Sequence, residues 1–226
     1  MESHPLFNKG PAIKDVPFVL TPPDPKTTGG CSVLMIGSGR SGKTTLLKHI
    51  MDTYFKKHVG AIFSESAKAP AYQHMKYDLM PLACTYIPEL VKASYHINRE
   101  IKNYYDFLYV LDDCPLAKND KQLLKLLTIY RNSNISGIVC VQTPTLLNPT
   151  VRSNFTFVCL MKCNTAEQRE AVVKGFLRGI FPQGWTYDMK IRWYEKQTED
   201  HSFLFINNLD GTICRCKLTP QQVGRV

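Results

Sequence analysis

The eight residues Gly37-Ser38-Gly39-Arg40-Ser41-Gly42-Lys43-Thr44 fit G-x-x-x-x-G-K-T, the spacing of a phosphate-binding loop. No other segment constrains the fold as tightly, because this loop works only between a buried strand and the helix that follows it. Both neighbours are readable. Ser32-Val33-Leu34-Met35-Ile36 is the near-continuous apolar run of a buried parallel strand. Thr45-Leu46-Leu47-Lys48-His49-Ile50 continues as a helix, with Leu46, Leu47 and Ile50 on one face. Glycines let the backbone curl until successive N–H groups point inward at phosphate oxygens. The helix N-terminus adds partial positive charge. In that geometry the octapeptide and Thr45 cradle a nucleoside triphosphate, Lys43 contacts its β- and γ-phosphates, and the Thr44 hydroxyl binds Mg²⁺. The competing reading is a glycine-rich turn at a helix start.

A length of 226 residues suits one α/β domain with small additions and a substantial core. No apolar run approaches a membrane span and no charged-then-apolar leader is present, so a soluble, non-secreted protein is expected. Of the eight cysteines, Cys31, Cys84, Cys140 and Cys159 sit in apolar, strand-like contexts, where small buried thiols are the default. Cys159-x-x-x-Cys163 and Cys214-x-Cys216 lack a second pair at zinc-ligand spacing, and a reducing compartment fits best. The net charge of +9 favours a polyanionic partner such as nucleic acid, against the alternative of a solvated basic surface.

Alternating strand and helix patterns organise the chain. Residues 1–30, rich in proline and ending in Gly29-Gly30, read as an irregular arm outside the core, with 18–20 as a short edge strand. Residues 31–226 read as one P-loop domain. Within it, strands are expected at Val59–Ser64, 84–87, 107–111, 138–141 and 155–161. Helices are expected at 89–105, with Leu90, Ile97 and Ile101 recurring on one face, and at 121–131, with Leu123, Leu124, Leu127 and Tyr130 on one stripe. Thr165-x-x-Gln168 is a capping box opening another helix. A helix near 187–194 and a hairpin around Asn208-Leu209-Asp210-Gly211 follow, so that 184–218 reads as an appendage. The alternation predicts an α/β fold with a mostly parallel sheet flanked by helices.

The strand at 107–111 ends in Asp112-Asp113, the pattern of a Walker B strand. A parallel strand delivers its C-terminal residues to the ligand edge of the sheet. There Asp112 can hold Mg²⁺ and Asp113 can orient and polarise an attacking water. Gln142 closes the next strand, placed to sense a γ-phosphate or position water; the bland reading is a strand-end amide bonded to a loop. Arg131 and Arg152 are the two candidates for a charge-stabilising finger acting on a neighbour's site, against readings as a helix-end cation or a surface ion pair.

Taken together, the loop, Asp112-Asp113, Arg131-Asn132, Ile135-Ser136, Gln142 and Val151-Arg152-Ser153-Asn154 resemble the FtsK–HerA superfamily, and within it the poxvirus-type genome-packaging ATPases of large DNA viruses and virophages. The resemblance covers residues 31 to about 180. It departs at Arg131-Asn132, where family members often carry Arg-His. The resemblance implies an ASCE-type sheet, with the sensor strand between the P-loop and Walker B strands. It also implies ATP hydrolysis at subunit interfaces of a homo-oligomeric ring (pentamer or hexamer) and translocation of double-stranded DNA. Capsid or vertex proteins would be partners, and the virion or host-cell cytoplasm the location.

Three other classes compete. A nucleotide or small-molecule kinase needs an acceptor pocket with an arginine-rich lid, and no such arginine cluster is visible. A GTPase resembles others of its class in an Asn-Lys-x-Asp element, whereas the corresponding stretches here read Val141-Gln142-Thr143-Pro144 and Met161-Lys162-Cys163-Asn164. A DNA-binding module with a degenerate loop would not be expected to keep Lys43 together with Asp112 and Asp113.

Overall fold

The computed structural model describes residues 10–24 and 28–223; the remaining parts of the expected N-terminal arm, 1–9 and 25–27, lie outside the described residues. In chain order the elements are β1 (Lys14–Pro17), β2 (Ser32–Ile36), α1 (Lys43–Ile50), β3 (Val59–Ser64), β4 (Leu82–Ala83), α2 (Pro88–Glu100), β5 (Phe107–Asp112), α3 (Lys121–Thr128), β6 (Ile135–Val141), α4 (Pro149–Ser153), β7 (Phe157–Leu160), α5 (Ala166–Phe176), α6 (Tyr187–Gln197), β8 (Phe203–Asn207), β9 (Thr212–Lys217) and α7 (Pro220–Val223).

Among the described residues the strands form one sheet in the order β1-β9-β8-β7-β2-β6-β5-β3-β4. Every residue of β2, β5 and β6 is buried, which is why these strands carry apolar runs and not alternating patterns. β6 lies between β2 and β5, parallel to both, as the resemblance implied. Side chains alternate across the sheet. Val33, Met35, Ile138 and Cys140 face Leu46, Leu47 and Ile50 of α1. Leu34, Ile36, Val139 and Val141 share the other core with α3, α5 and α6.

Four expectations are corrected. The first concerns the arm, whose edge strand is β1 at Lys14–Pro17, parallel to β9, and not residues 18–20. Phe18 and Leu20 belong to the core, and the Phe18 ring meets the rings of Phe203 and Phe205 edge-on at 5.3 and 5.5 Å. An edge strand tolerates Pro17 because one side of it needs no ladder donor. Second, the short strand expected at 84–87 is instead Leu82–Ala83, paired with Ile62 and Phe63. Third, α2 ends at Glu100, where Lys102 and Asn103 turn left-handed, and the face with Leu90, Ile97 and Ile101 is outside at 40, 53 and 39% exposure. Its buried residues are Val91, Ser94 and Asn98. Fourth, the hairpin is no appendage, since β8 pairs antiparallel with β7 and carries the central sheet outward to β9 and β1.

Candidate active site

Residues 37–42 leave the C-terminal end of β2 and enter α1. The loop is pinned to the sheet edge, with Gly37 N–H donating to Val141 O at 3.2 Å and Ser38 N–H to Lys162 O at 3.0 Å. Two glycines are required by shape. A Cβ on Gly37 would lie 2.6 Å from Ser41 Oγ and 2.8 Å from Met161 Cβ. Gly42 caps α1 with φ of 97°, the left-handed region that side chains avoid. No side chain caps that helix and no acid stands in its first turn, so its N–H groups stay directed at the cleft. The Lys43 ammonium is buried and donates to Gly37 O at 2.6 Å and Ser38 O at 3.3 Å.

Asp112 ends β5 at 2% exposure. Its carboxylate accepts a hydrogen bond from the Tyr72 hydroxyl, which also lies 3.1 Å from the Ser64 Oγ that donates to it. Burial pushes the Asp112 carboxyl above the ordinary range; the Asp113 charge adds to that push, while the Tyr72 hydrogen bond and the Lys43 charge oppose it. Asp113 follows with φ of 49° and its N–H on Cys140 O at 3.1 Å, which turns it out of the sheet and leaves it half-buried. A cleft of about 960 Å³ takes in Ser38 to Thr45, Tyr72, Asp112 and Asp113 together. Lys43, Thr44, Thr45, Asp112 and Asp113 are thus brought into one space. Ser41 lines it too, and its buried Oγ has no hydrogen-bond partner among the described residues. An unsatisfied donor in such a cradle suits phosphate oxygens.

The other candidates are placed differently. Gln142 is exposed, one residue beyond the Val141 carbonyl that holds Gly37, so it stands beside the loop but does not line the cleft. Arg131 lies in the 3-10 turn Tyr130–Ser133 ahead of β6, and its carbonyl accepts from Gly30 N–H before β2 begins. Arg152 precedes β7, packs its guanidinium against Gly175 of α5 and lines a separate surface cleft with Asn208. Both arginines lie at the N-terminal edge of the parallel strands, the edge opposite the P-loop. A five-residue strand, about 16 Å, separates them from the site of their own chain. Arg40 is the only arginine among the described residues lining the main cleft.

Sequence reasoning missed Tyr72 and Gln168. Tyr72 lies in a polar stretch without periodicity, and only the fold brings it to Asp112. Gln168 was read as half of a capping box, which forms. Its Oε1 also accepts from Ser38 Oγ at 2.6 Å, and Ser38 Oγ accepts from Asn164 N–H at 2.8 Å, tying the loop to the start of α5.

Protein 015R of Frog virus 3 is 28% identical over 198 residues, covering 81% of this chain and 58% of that protein. Protein L437 of Acanthamoeba polyphaga mimivirus is 22% identical over 195 residues, covering 78% and 66%. The chain therefore matches between half and two thirds of these relatives' length. Among solved structures, B204, the DNA-packaging ATPase from Sulfolobus turreted icosahedral virus, aligns with a TM-score of 0.63 at 15% identity, covering 85% of this chain and 100% of that one. The genome-packaging NTPase B204 of Sulfolobus turreted icosahedral virus 2 in complex with ATP-gammaS aligns at 0.59 and 15%, covering 84% and 97%. These likenesses establish a shared fold. A model of the poxvirus A32 protein family matches residues 30–175, more than half of the sequence, and the chain belongs to that family.

Proposed function

We propose that this chain is an ATP-hydrolysing motor that moves double-stranded DNA into a preformed viral capsid, working as a homo-oligomeric ring. One observation carries the reading: a P-loop lysine and two strand-end acids share a cleft, in a sheet whose sensor strand lies between their strands, in a member of the poxvirus A32 family. Lys43 takes the β- and γ-phosphates and Asp113 orients and polarises the attacking water. Gln142, exposed beside the loop and one residue past the Val141 carbonyl that holds Gly37, is the candidate to sense the γ-phosphate from outside the cleft.

Thr44 and Asp112 are hard oxygen donors on the same cleft, which suits Mg²⁺. Among the described residues no cluster of three or more His, Cys, Asp or Glu could cage a metal. That also fits Mg²⁺, which is commonly held by one or two carboxylates plus substrate phosphates. When bound, the ion neutralises charge developing on the phosphates.

The distance of Arg131 and Arg152 from their own loop supports a finger supplied by a neighbouring subunit, in a closed pentamer or hexamer. The DNA-packaging activity named for B204 and the net charge of +9 support a DNA substrate, with capsid or vertex proteins as further partners in the virion or the host-cell cytoplasm. No described helix is long and apolar enough to cross a membrane.

The reading is tested by two substitutions. Lys43→Ala is expected to abolish turnover and weaken nucleotide binding. Asp113→Asn is expected to lower turnover by at least about a hundredfold while ATP still binds within a few-fold of the parent. Hydrolysis by Asp113→Asn at the parental rate would show the base assignment to be wrong.

A further inference from the structure

The phosphate loop stands between two walls. β5, with Asp112 and Asp113, is two strands from β2 on one side; β8 and β9 are two and three strands away on the other. At about 4.8 Å per strand these walls lie about 10 and 15 Å from β2. The cleft that includes the two acids also includes His201, Phe203, Lys217, Leu218 and Val223. The acids belong with the terminal phosphate, where charge develops. The rest of a nucleoside triphosphate must then extend the other way, toward β8 and β9.

We propose that His201, Lys217, Leu218 and Val223 form the subsite that holds the nucleoside, an assignment that rests on the nucleotide reading above. Half-buried Leu218 and exposed Val223 offer apolar surface to a base, the usual lining of a cofactor site. The exposed Lys217 brings an ammonium donor suited to ribose hydroxyls or the α-phosphate.

Two independent features build this wall. The segment after β9 is tethered: Gln222 Nε2 donates to Phe18 O at 3.3 Å and lies 3.3 Å from His49 Nε2 on α1. Thr219 N–H donates back to Gln222 Oε1 at 2.7 Å. Leu218 and Val223 are thereby fixed along the helix that the P-loop opens. At the other end, Asp200 and His201 have φ of 53 and 58°, consecutive left-handed conformations at non-glycine residues. Backbone strain of this kind gathers at ligand clamps. The turn brings the imidazole to the loop, since a Cβ on Gly42 would lie 3.7 Å from His201 Nδ1. The ring thus stands at the boundary between phosphate cradle and apolar wall.

Calorimetric titration of the full chain with MgATP and with magnesium inorganic triphosphate separates the grip on phosphate from the grip on nucleoside. The parent is expected to bind ATP more tightly than triphosphate. His201→Ala and the exposed-site change Val223→Asn should each weaken ATP about tenfold while moving triphosphate by less than about twofold. Lys43→Ala should weaken both ligands. Parental ATP affinity in both subsite variants, or triphosphate affinity falling in step with ATP, would overturn the assignment. A parent that binds neither ligand would contradict the nucleotide reading itself, and the subsite with it.

Discussion

Asp112 holds a carboxylate where the fold leaves it almost no water. Its raised proton affinity sets a direct conflict between stability and chemistry. The folded state binds its proton more tightly than the unfolded chain does, so stability falls as pH rises from the ordinary carboxylate range through the raised folded value. Above that value the full penalty of a buried charge is present. Asp112→Asn removes the charge while keeping an oxygen for the Tyr72 hydroxyl. At pH 7 the variant is expected to melt a few degrees above the parent, about 2–4 °C for each kcal/mol in a chain this size. The difference should shrink as pH approaches 4, and turnover should fall by about a hundredfold or more. Thermal scans at pH 7 and 4 check this, and a Tm at or below the parent's at pH 7 contradicts it. At this scale the loop residues and both acids were legible because a local spacing rule fixes them. Tyr72 was not, because its partner is 40 residues away and no pattern marks it. The remoteness of Arg131 and Arg152 was legible in principle. Each precedes a parallel strand, and residues before parallel strands lie at the edge away from the ligand.

At the scale of elements, α2 shows how an apolar stripe can mislead. Its inward face is held partly by polar groups that are fully satisfied. Asn98, with no exposed surface, donates from Nδ2 to Tyr105 O at 2.8 Å and Ser133 O at 2.6 Å, and its Oδ1 accepts from Tyr105 N–H at 3.1 Å. It joins α2 to the turn before β5 and to the segment before β6. Substitution orphans those backbone groups, so Asn98→Ala is expected to cost about 2–4 kcal/mol of stability. Urea unfolding reads this as a lower midpoint at unchanged m value, and ATP affinity at the distant P-loop should be unaltered. A loss under about 0.5 kcal/mol would show that those backbone groups find other partners. Periodicity reads apolar residues and cannot see a buried amide, and so it turned the helix by nearly the wrong face. Elsewhere the element reading held where one local signal dominated: Val59–Ser64 as written, and the capping box at Thr165 and Gln168.

At the scale of the whole molecule, the described residues are built on one nine-stranded sheet. Strand order β2-β6-β5 was implied by resemblance and not by pattern, since pairing between strands far apart in sequence leaves no periodic trace. The contribution of β1 and of the segment after β9 was hidden for the same reason. Prolines suggested a loose arm, yet Phe18 closes one core against β8 while β1 completes the sheet beside β9. In the proposed motor, ATP hydrolysis at the P-loop edge of the sheet is coupled to double-stranded DNA. The most direct measurement is the steady-state ATPase rate of the full chain with and without double-stranded DNA over a range of salt. Several-fold stimulation that weakens as salt rises is the expected result, because phosphate contacts release counterions. A rate indifferent to DNA, with the γ-phosphoryl group passing to an added small-molecule acceptor, would contradict it.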